Sequence, residues 1–287
     1  MSYPTDRPAT WFVTGTSRGL GLELVVQLLE RGENVAATTR SAGRLTEALA
    51  ARSADTGRLL ALEVDLRDPR AVDEAVARTT ERFSGLDVVV NNAGYGFLAA
   101  VEETSPEAVR DMLDVQVVGV WNVLRAALPV LRRRRGGHVV NVSSVLGLTS
   151  VPGWGLYCAG KYALEGLSES LAGEVAEHGI TVTIVEPGYF RTDFLSSDSL
   201  ALPAETTDAY PDIRAMVAAH RQMPGTQLGD PVKGAEQMIA NVVAGGTELR
   251  QVLGSDSHAF LTAKVDALRA TLDATRDSAP RTDVVGA

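Results

Sequence analysis

The amino-acid sequence predicts one α/β domain, doubly wound about a seven-stranded parallel sheet. Three observations carry the prediction. Short apolar runs alternate with longer stretches whose apolar residues recur three or four apart, the signature of alternating strand and helix. The runs are apolar almost throughout rather than at every second residue, as strands covered on both faces must be. A glycine-rich turn joins the first run directly to the first helical stretch. A chain of 287 residues, 45% hydrophobic and 22% charged, can build a large core, and its composition excludes disordered, collagen-like and disulfide-scaffold classes.

In chain order, residues 1–9 form a polar, proline-containing extension. Strands are expected at Thr10–Thr14 (TWFVT), Asn34–Thr38, Leu59–Val64, Asp87–Asn91, His138–Val142, Thr181–Glu186 and Arg250–Leu253. Helical spacing fills the intervals, as at Ala71, Ala75, Val76, Thr79 and Phe83. A long helix is expected from near Pro106 to Arg132–Arg135, with its cations at the negative dipole end and Gly136 and Gly137 terminating it. Strand–helix–strand units of this kind cross over right-handed and keep the strands parallel. The alternation breaks once, after the sixth strand. Residues 189–230 interleave Phe190, Phe194, Tyr210, Met216 and Met223 with serines and prolines, and an insertion at a strand's carboxyl end is read as a substrate lid. The domain spans 10–276, closing with a helical stretch, and 277–287 reads as a frayed tail.

Twenty-seven basic against 36 acidic residues give a net charge of −9, which argues against nucleic acid or an anionic membrane as partner. No apolar run approaches the roughly 18 residues of a membrane span, and the first residues have neither secretory nor transit character. Cys158 is the only cysteine and the chain has four histidines. A reducing, cytoplasmic compartment is therefore expected, without a metal site. The chemistry is expected from an organic cofactor.

Residues Thr14–Gly21 read TGTSRGLG. Glycine is needed where the chain turns sharply and brings its N–H groups close to a pyrophosphate, and a helix starting near Gly19 would aim its positive end at the phosphates. About twenty residues on, an acidic residue would bind a ribose 2′-hydroxyl. The chain offers Thr38, Thr39 and Arg40 instead. Arg40, with Arg18 from the glycine turn, suits a 2′-phosphate, so NADP(H) is expected over NAD(H). Tyr157 and Lys161 stand four apart on one face of a helical stretch. An ammonium and an oxidised nicotinamide beside a phenol would lower its pKa from about 10 and make it a proton donor and acceptor. Ser143 and Ser144 follow the fifth strand, at the edge where such folds bind ligands. Hydrolase chemistry lacks its GxSxG turn, the local sequence being NVSSVLG. Cys158 points about 100° away from Tyr157 and is read as packing.

These motifs, with Asp65–Leu66, NNAG at Asn91–Gly94, YCAGK at Tyr157–Lys161 and PGYFRTD at Pro187–Asp193, resemble the short-chain dehydrogenases/reductases over residues 10 to 255, and most closely their steroid- and retinol-type branch. The resemblance implies a Rossmann fold and hydride transfer between a nicotinamide cofactor and an alcohol or carbonyl. It implies that Gly15, Ser17, Arg18, Gly19, Leu20 and Gly21 form the phosphate loop and that Asp65 and Leu66 flank the adenine. Asn91, Ala93 and Gly94 would lie along the adenosine, and Pro187, Gly188 and Thr192 would border the nicotinamide. Ser144 would hold the carbonyl, Tyr157 would be the acid/base, and Lys161 would lower its pKa while binding the nicotinamide ribose. One position departs from the family. Where the family carries a catalytic asparagine the chain has Gln116, which keeps the amide but displaces it by a methylene.

Tyr95, Phe97, Leu146, Trp154, Tyr189, Phe194 and Met216 are the candidate substrate neighbours, so a hydrophobic alcohol or ketone of moderate size is expected. The Gln116 departure keeps open a sensor or scaffold that binds NADP(H) with impaired turnover, and the scaffold also permits an epimerase or lyase. Family members often pair the two helices carrying Gln116 and Tyr157, which implies a homodimer or homotetramer.

Overall fold

The computed structural model describes residues 3–246 and 248–284. Seven parallel strands, β1 (Thr10–Thr14), β2 (Asn34–Thr39), β3 (Leu59–Glu63), β4 (Val88–Asn91), β6 (Gly137–Val142), β7 (Ile180–Pro187) and β9 (Arg250–Leu253), form one sheet in the order β3-β2-β1-β4-β6-β7-β9. The order reverses between β1 and β4, and a crevice opens at the carboxyl ends of those strands. Alternate residues of each strand face opposite cores. Trp11, Val13, Val35 and Val140 pack under α1 (Gly19–Glu30), α2 (Ala42–Ala51) and α8 (Pro231–Val243). Phe12, Ala36, Val89 and Val139 pack under α3 (Pro69–Phe83), α5 (Gly119–Arg134) and α6 (Gly155–Val175). Burial on both faces explains the continuously apolar strands.

Two elements had no sequence signal. β5 (Gly96–Phe97) pairs in parallel with β8 (Leu200–Ala201), too short for any periodicity to show. This pairing fastens the lid region to the segment after β4, and a bridge between Phe190 and Gly229 closes the same region at its base. Within it lies α7 (Pro211–Gln222), whose Arg214 pairs with Glu103. The long helix expected from Pro106 is three pieces: α4 (Pro106–Leu113), a π turn at Asp114–Val118, and α5. Arg135, at φ +52°, takes the left-handed position that ends it, one residue before the expected glycines. By length and composition the run Pro106–Arg134 could cross a membrane, contrary to the sequence reading, but Val123, Leu124, Ala127 and Leu131 are core residues beneath the sheet. The chain closes with α9 (Ser255–Thr275) and a 3-10 turn at Ala279–Thr282; residues 285–287 of the expected tail lie outside the described residues.

Asp87, just before β4, is the polar knot at the opposite edge of the sheet. Its carboxylate accepts from Arg7 at 2.7 and 2.8 Å and from the Thr10 N–H at 2.8 Å, and pairs with Arg134 at 3.2 Å. Burial pushes its pKa up, but Arg7, the Thr10 N–H and Arg134 together hold it below the ordinary value. A depressed pKa stabilises the fold above the unfolded value, near 4, and that contribution disappears as the pH falls through the folded value. Asp87→Asn is expected to lower stability at pH 7 by about 1–3 kcal/mol and to flatten the acid limb of a urea-midpoint-versus-pH profile below pH 4.

Candidate active site

The crevice is a cleft of about 520 Å³ lined from the glycine turn at one end to the lid at the other. At the glycine end the backbone approaches itself too closely for side chains. Gly15 has φ +70°, and a Cβ there would lie 2.7 Å from the Cα of Ala93; one on Gly21 would collide with the Gly15 carbonyl oxygen. Asn92 ties the two segments together, its amide donating to the carbonyls of Thr14 and Gly15 at 2.9 and 3.0 Å. The N–H groups of Asn92 and Ala93 in turn donate to Thr14 Oγ1, each at 3.0 Å. Arg18, the residue before α1, makes no side-chain cap, so among the described residues the helix's first-turn N–H groups face the cleft without side-chain partners, an anion site by construction. Uncapped amides, a cradle that admits no Cβ and a rim arginine fit a dinucleotide. Gly15, Ser17, Gly19, Leu20 and Gly21 would hold its phosphates.

The rim places Arg40 exposed at the carboxyl end of β2, lining the cleft beside Asp65 and Leu66. Asp65 is already bound by Arg67, at 2.7 Å for the closest pair, and that hydrogen bond holds its pKa below the ordinary range. Arg18 lines the cleft as well, but its guanidinium crosses to the lid and donates to the Asp198 carbonyl at 2.7 Å, with the Asp198 carboxylate at 3.5 Å. The Asn91 side chain does not line the cleft. It is buried in the sheet, donating to Asn141 at 2.8 Å, and it is Asn92, with Ala93 and Gly94, that borders the cleft. The strand's alternation turned the first asparagine inward, and the doublet alone could not say which one.

Ser144, Tyr157 and Lys161 meet at the middle of the cleft. Ser144 follows β6 by two residues, and its Oγ accepts from the Leu146 N–H at 3.1 Å while it lines the same cleft as Tyr157. Ser143 Oγ is buried with no partner among the described residues. Lys161 donates to the Val142 carbonyl at 2.9 Å and stands 5.7 Å from the Tyr157 ring centre. Burial lowers its pKa to about 8, against the opposing charge of Glu165 one turn on. Tyr157 is buried. Burial pushes its phenol above the ordinary value, Ser144 opposes this and loses, and the Lys161 ammonium is turned to a strand carbonyl instead. The phenol is therefore a held proton at neutral pH. Gln116 sits in the π turn, its amide nitrogen donating to the Tyr95 carbonyl at 2.7 Å while its buried oxygen has no partner among the described residues. A Cβ on Gly94 would lie 3.7 Å from both the Gln116 amide carbon and Lys161 Nζ, which brings those two groups to one place.

Pro187, Gly188 and Thr192 border the cleft as expected, and Tyr95, Leu146, Trp154, Tyr189 and Phe194 line its apolar part. Phe97 and Met216 do not; they pack behind that wall, with Cys158, in a third apolar cluster. Burial raises the Cys158 thiol, in keeping with packing. The sequence reading missed three contributors. Asp256 in α9 accepts from the Tyr189 N–H at 2.7 Å and leaves no room for a side chain at Gly188. His220 in α7 is bonded to the Tyr189 hydroxyl at 2.9 Å and stands edge-on to Trp154. Phe260 reaches the cleft from α9. His220 comes from the middle of the lid and Asp256 and Phe260 from beyond it, where no motif spacing connects them to the site.

Comparison with known proteins agrees with this geometry. A family model described as short chain dehydrogenase matches residues 9–201. An oxidoreductase of Botryotinia fuckeliana is 34% identical over 261 residues, covering 91% of this chain and 94% of that protein. Human 17-beta-hydroxysteroid dehydrogenase type 1 is 41% identical over 202 residues, 68% of this chain and 61% of the human enzyme. The crystal structure of a short-chain dehydrogenase from Streptomyces avermitilis superposes with a TM-score of 0.87 at 36% identity, over 96% of this chain and all of that one.

The close approach at the glycine end can be broken with one methyl group. Gly21→Ala is expected to weaken nucleotide binding at least tenfold in a fluorescence titration, because the added carbon displaces the Gly15 carbonyl and the Asn92 strut that shape the phosphate cradle.

Proposed function

The chain belongs to the short-chain dehydrogenase family, in its steroid- and retinol-type branch, and from that premise we propose that it is an NADP(H)-dependent oxidoreductase reducing a hydrophobic ketone, or oxidising the corresponding alcohol, with Tyr157 as general acid/base. The observation that carries the proposal is the convergence of the Ser144 hydroxyl, the Tyr157 phenol and the Lys161 ammonium on one cleft whose far end is an uncapped helix start in a glycine cradle. When bound, the nicotinamide nucleotide supplies or takes the hydride. The chain's own residues manage the proton and the orientation.

Ser144, which lines the cleft together with the phenol, holds a carbonyl oxygen beside Tyr157. The phenol, kept protonated by burial, donates to that oxygen as negative charge develops there, the role of a general acid. Lys161, charged below about pH 8, favours the phenolate left behind. The unpartnered oxygen of Gln116, gathered with Lys161 around Gly94, stands in for the family's asparagine carbonyl as an acceptor in proton return. The wall of Leu146, Trp154, Tyr189 and Phe194 supports an apolar substrate. Arg40 supports NADP(H), since the acidic residue beside it, Asp65, is occupied by Arg67. Arg18 joins Arg40 only by leaving Asp198. A single buried thiol suits a reducing cytoplasm. Val118 and Trp121, exposed on the Gln116 side, and Tyr162, exposed on α6, support pairing of those two helices in a homo-oligomer.

Two measurements test the reading. Steady NADPH consumption with a panel of apolar ketones is expected from the native chain. Tyr157→Phe should reduce it at least a hundredfold while leaving nucleotide binding intact; binding without turnover on any carbonyl would return the sensor reading. Arg40→Asp should raise the Michaelis constant for NADPH at least tenfold, by loss of a charge-assisted phosphate contact, and change that for NADH little. Equal effects on the two nucleotides would remove the NADP(H) assignment.

A further inference from the structure

The helix α9 begins inside the domain and ends outside it. Its first two turns are anchored: the Ser257 hydroxyl donates to the Glu186 carbonyl at 2.8 Å, Asp256 holds Tyr189, and Leu261 packs on the apolar cluster behind the cleft. From Val265 onward every described residue is exposed. The apolar stripe nevertheless continues. At about 100° per residue, Leu261, Val265, Leu268 and Leu272 fall within an arc of about 60°, and the last three are 56%, 51% and 71% exposed. Ala263, Ala267, Ala270 and Ala274 occupy the far side of the helix. Asp266, Arg269, Asp273 and Arg276 all fall on one flank of the stripe, alternating in sign along it, with Asp273 and Arg276 already paired at 2.7 Å. A helix that carries an amphipathic stripe past the edge of its own core is built to meet another surface.

The charges select the partner. We propose that α9 packs antiparallel against α9 of a second copy of this chain, about a two-fold axis near residues 270–271. When two helices pack antiparallel along a stripe, each flank faces the same flank of its partner; when they pack parallel, it faces the other one. In the antiparallel arrangement Leu268 of one copy meets Leu272 of the other, and the same axis brings Arg269 opposite Asp273 and Asp266 opposite Arg276. Apolar and charged registers thus coincide within one residue. A parallel pair would set the charged flank against Lys264, Thr271 and Thr275, where no acidic residue answers it. A lipid surface fits less well, because α9 has no cationic excess, with Lys264 and Arg269 against Asp256, Asp266 and Asp273, and the whole chain is at −9. This contact is separate from the helix pairing of the Gln116 and Tyr157 elements and does not depend on the reading of the active site.

Sedimentation velocity and light scattering on the full chain test the proposal. The double variant Leu268→Asp/Leu272→Asp should halve the mass of the native particle, with NADPH binding unchanged. Arg269→Asp alone should shift the assembly toward the same smaller species, and Arg269→Asp/Asp273→Arg should restore the native mass, since the two-fold recreates each pair with its sign reversed. A native chain already monomeric, an unchanged mass in the leucine variant, or a charge-swapped variant that stays dissociated would overturn the proposal. So would leucine-dependent sedimentation with phosphatidylcholine–phosphatidylserine vesicles at unchanged mass, which would assign the stripe to a membrane surface.

Discussion

Everything in the cleft depends on how closely the first βα turn and the segment after β4 approach one another. Two backbones touch there, Gly15 against Ala93, and the Asn92 amide donates to the carbonyls of Thr14 and Gly15 across the contact. The contact lies where the sheet order reverses, so it joins the two halves of the doubly wound fold and shapes the nucleotide cradle at once. Substituting a larger residue would disturb both. The same segment runs on through Gly94 and Tyr95 to Gln116 and Lys161, so the phosphate end and the proton-transfer end share one continuous stretch of rigid backbone.

Burial then sets the chemistry of what this frame holds. The Tyr157 phenol and the Lys161 ammonium are removed from water together and shift in opposite directions, the phenol up and the ammonium down. Removal from water disfavours whichever form carries charge. Both groups are left nearer to a neutral state than they would be at the surface. Beside them Glu165, Glu169 and Glu186 share one guanidinium, Arg250 of β9. Glu186 is fully buried, and burial raises its carboxyl despite Arg250. The cluster binds α6, β7 and β9 into a single wall, which keeps the helix carrying Tyr157 and Lys161 from shifting against the sheet.

The sheet was legible in the sequence because burial on two faces writes itself as uninterrupted apolar runs, and β1, β4 and β7 need nothing subtler. The glycine turn and the Tyr157–Lys161 pair were legible for a related reason: they need particular residue types at particular spacings. What remained hidden depends on contacts between distant segments. Asn91 and Asn92 are chemically identical, and only the strand's pleat decides which faces the cleft. The two-residue strands β5 and β8 carry no periodicity. His220, Asp256 and Phe260 reach the site by tertiary packing alone. The depth at which Tyr157 is buried, which raises its phenol, was not visible in the spacing to Lys161.

The attachment of the lid has a consequence for how such a pocket changes over generations. Its two ends are fixed, one by the β5–β8 pairing and the other by the Phe190–Gly229 bridge, where the Arg191 N–H donates to the Gly229 carbonyl and the Gly229 N–H to the Tyr189 carbonyl. Between these anchors the chain from 202 to 226 closes a loop. Lengthening a closed loop costs little, about 0.6 kcal/mol for each doubling. Insertions or wholesale replacement of that stretch can therefore remodel the roof of the substrate space while the cradle and the proton-transfer groups stay as they are. One scaffold can in this way acquire a new preference without first losing its old chemistry.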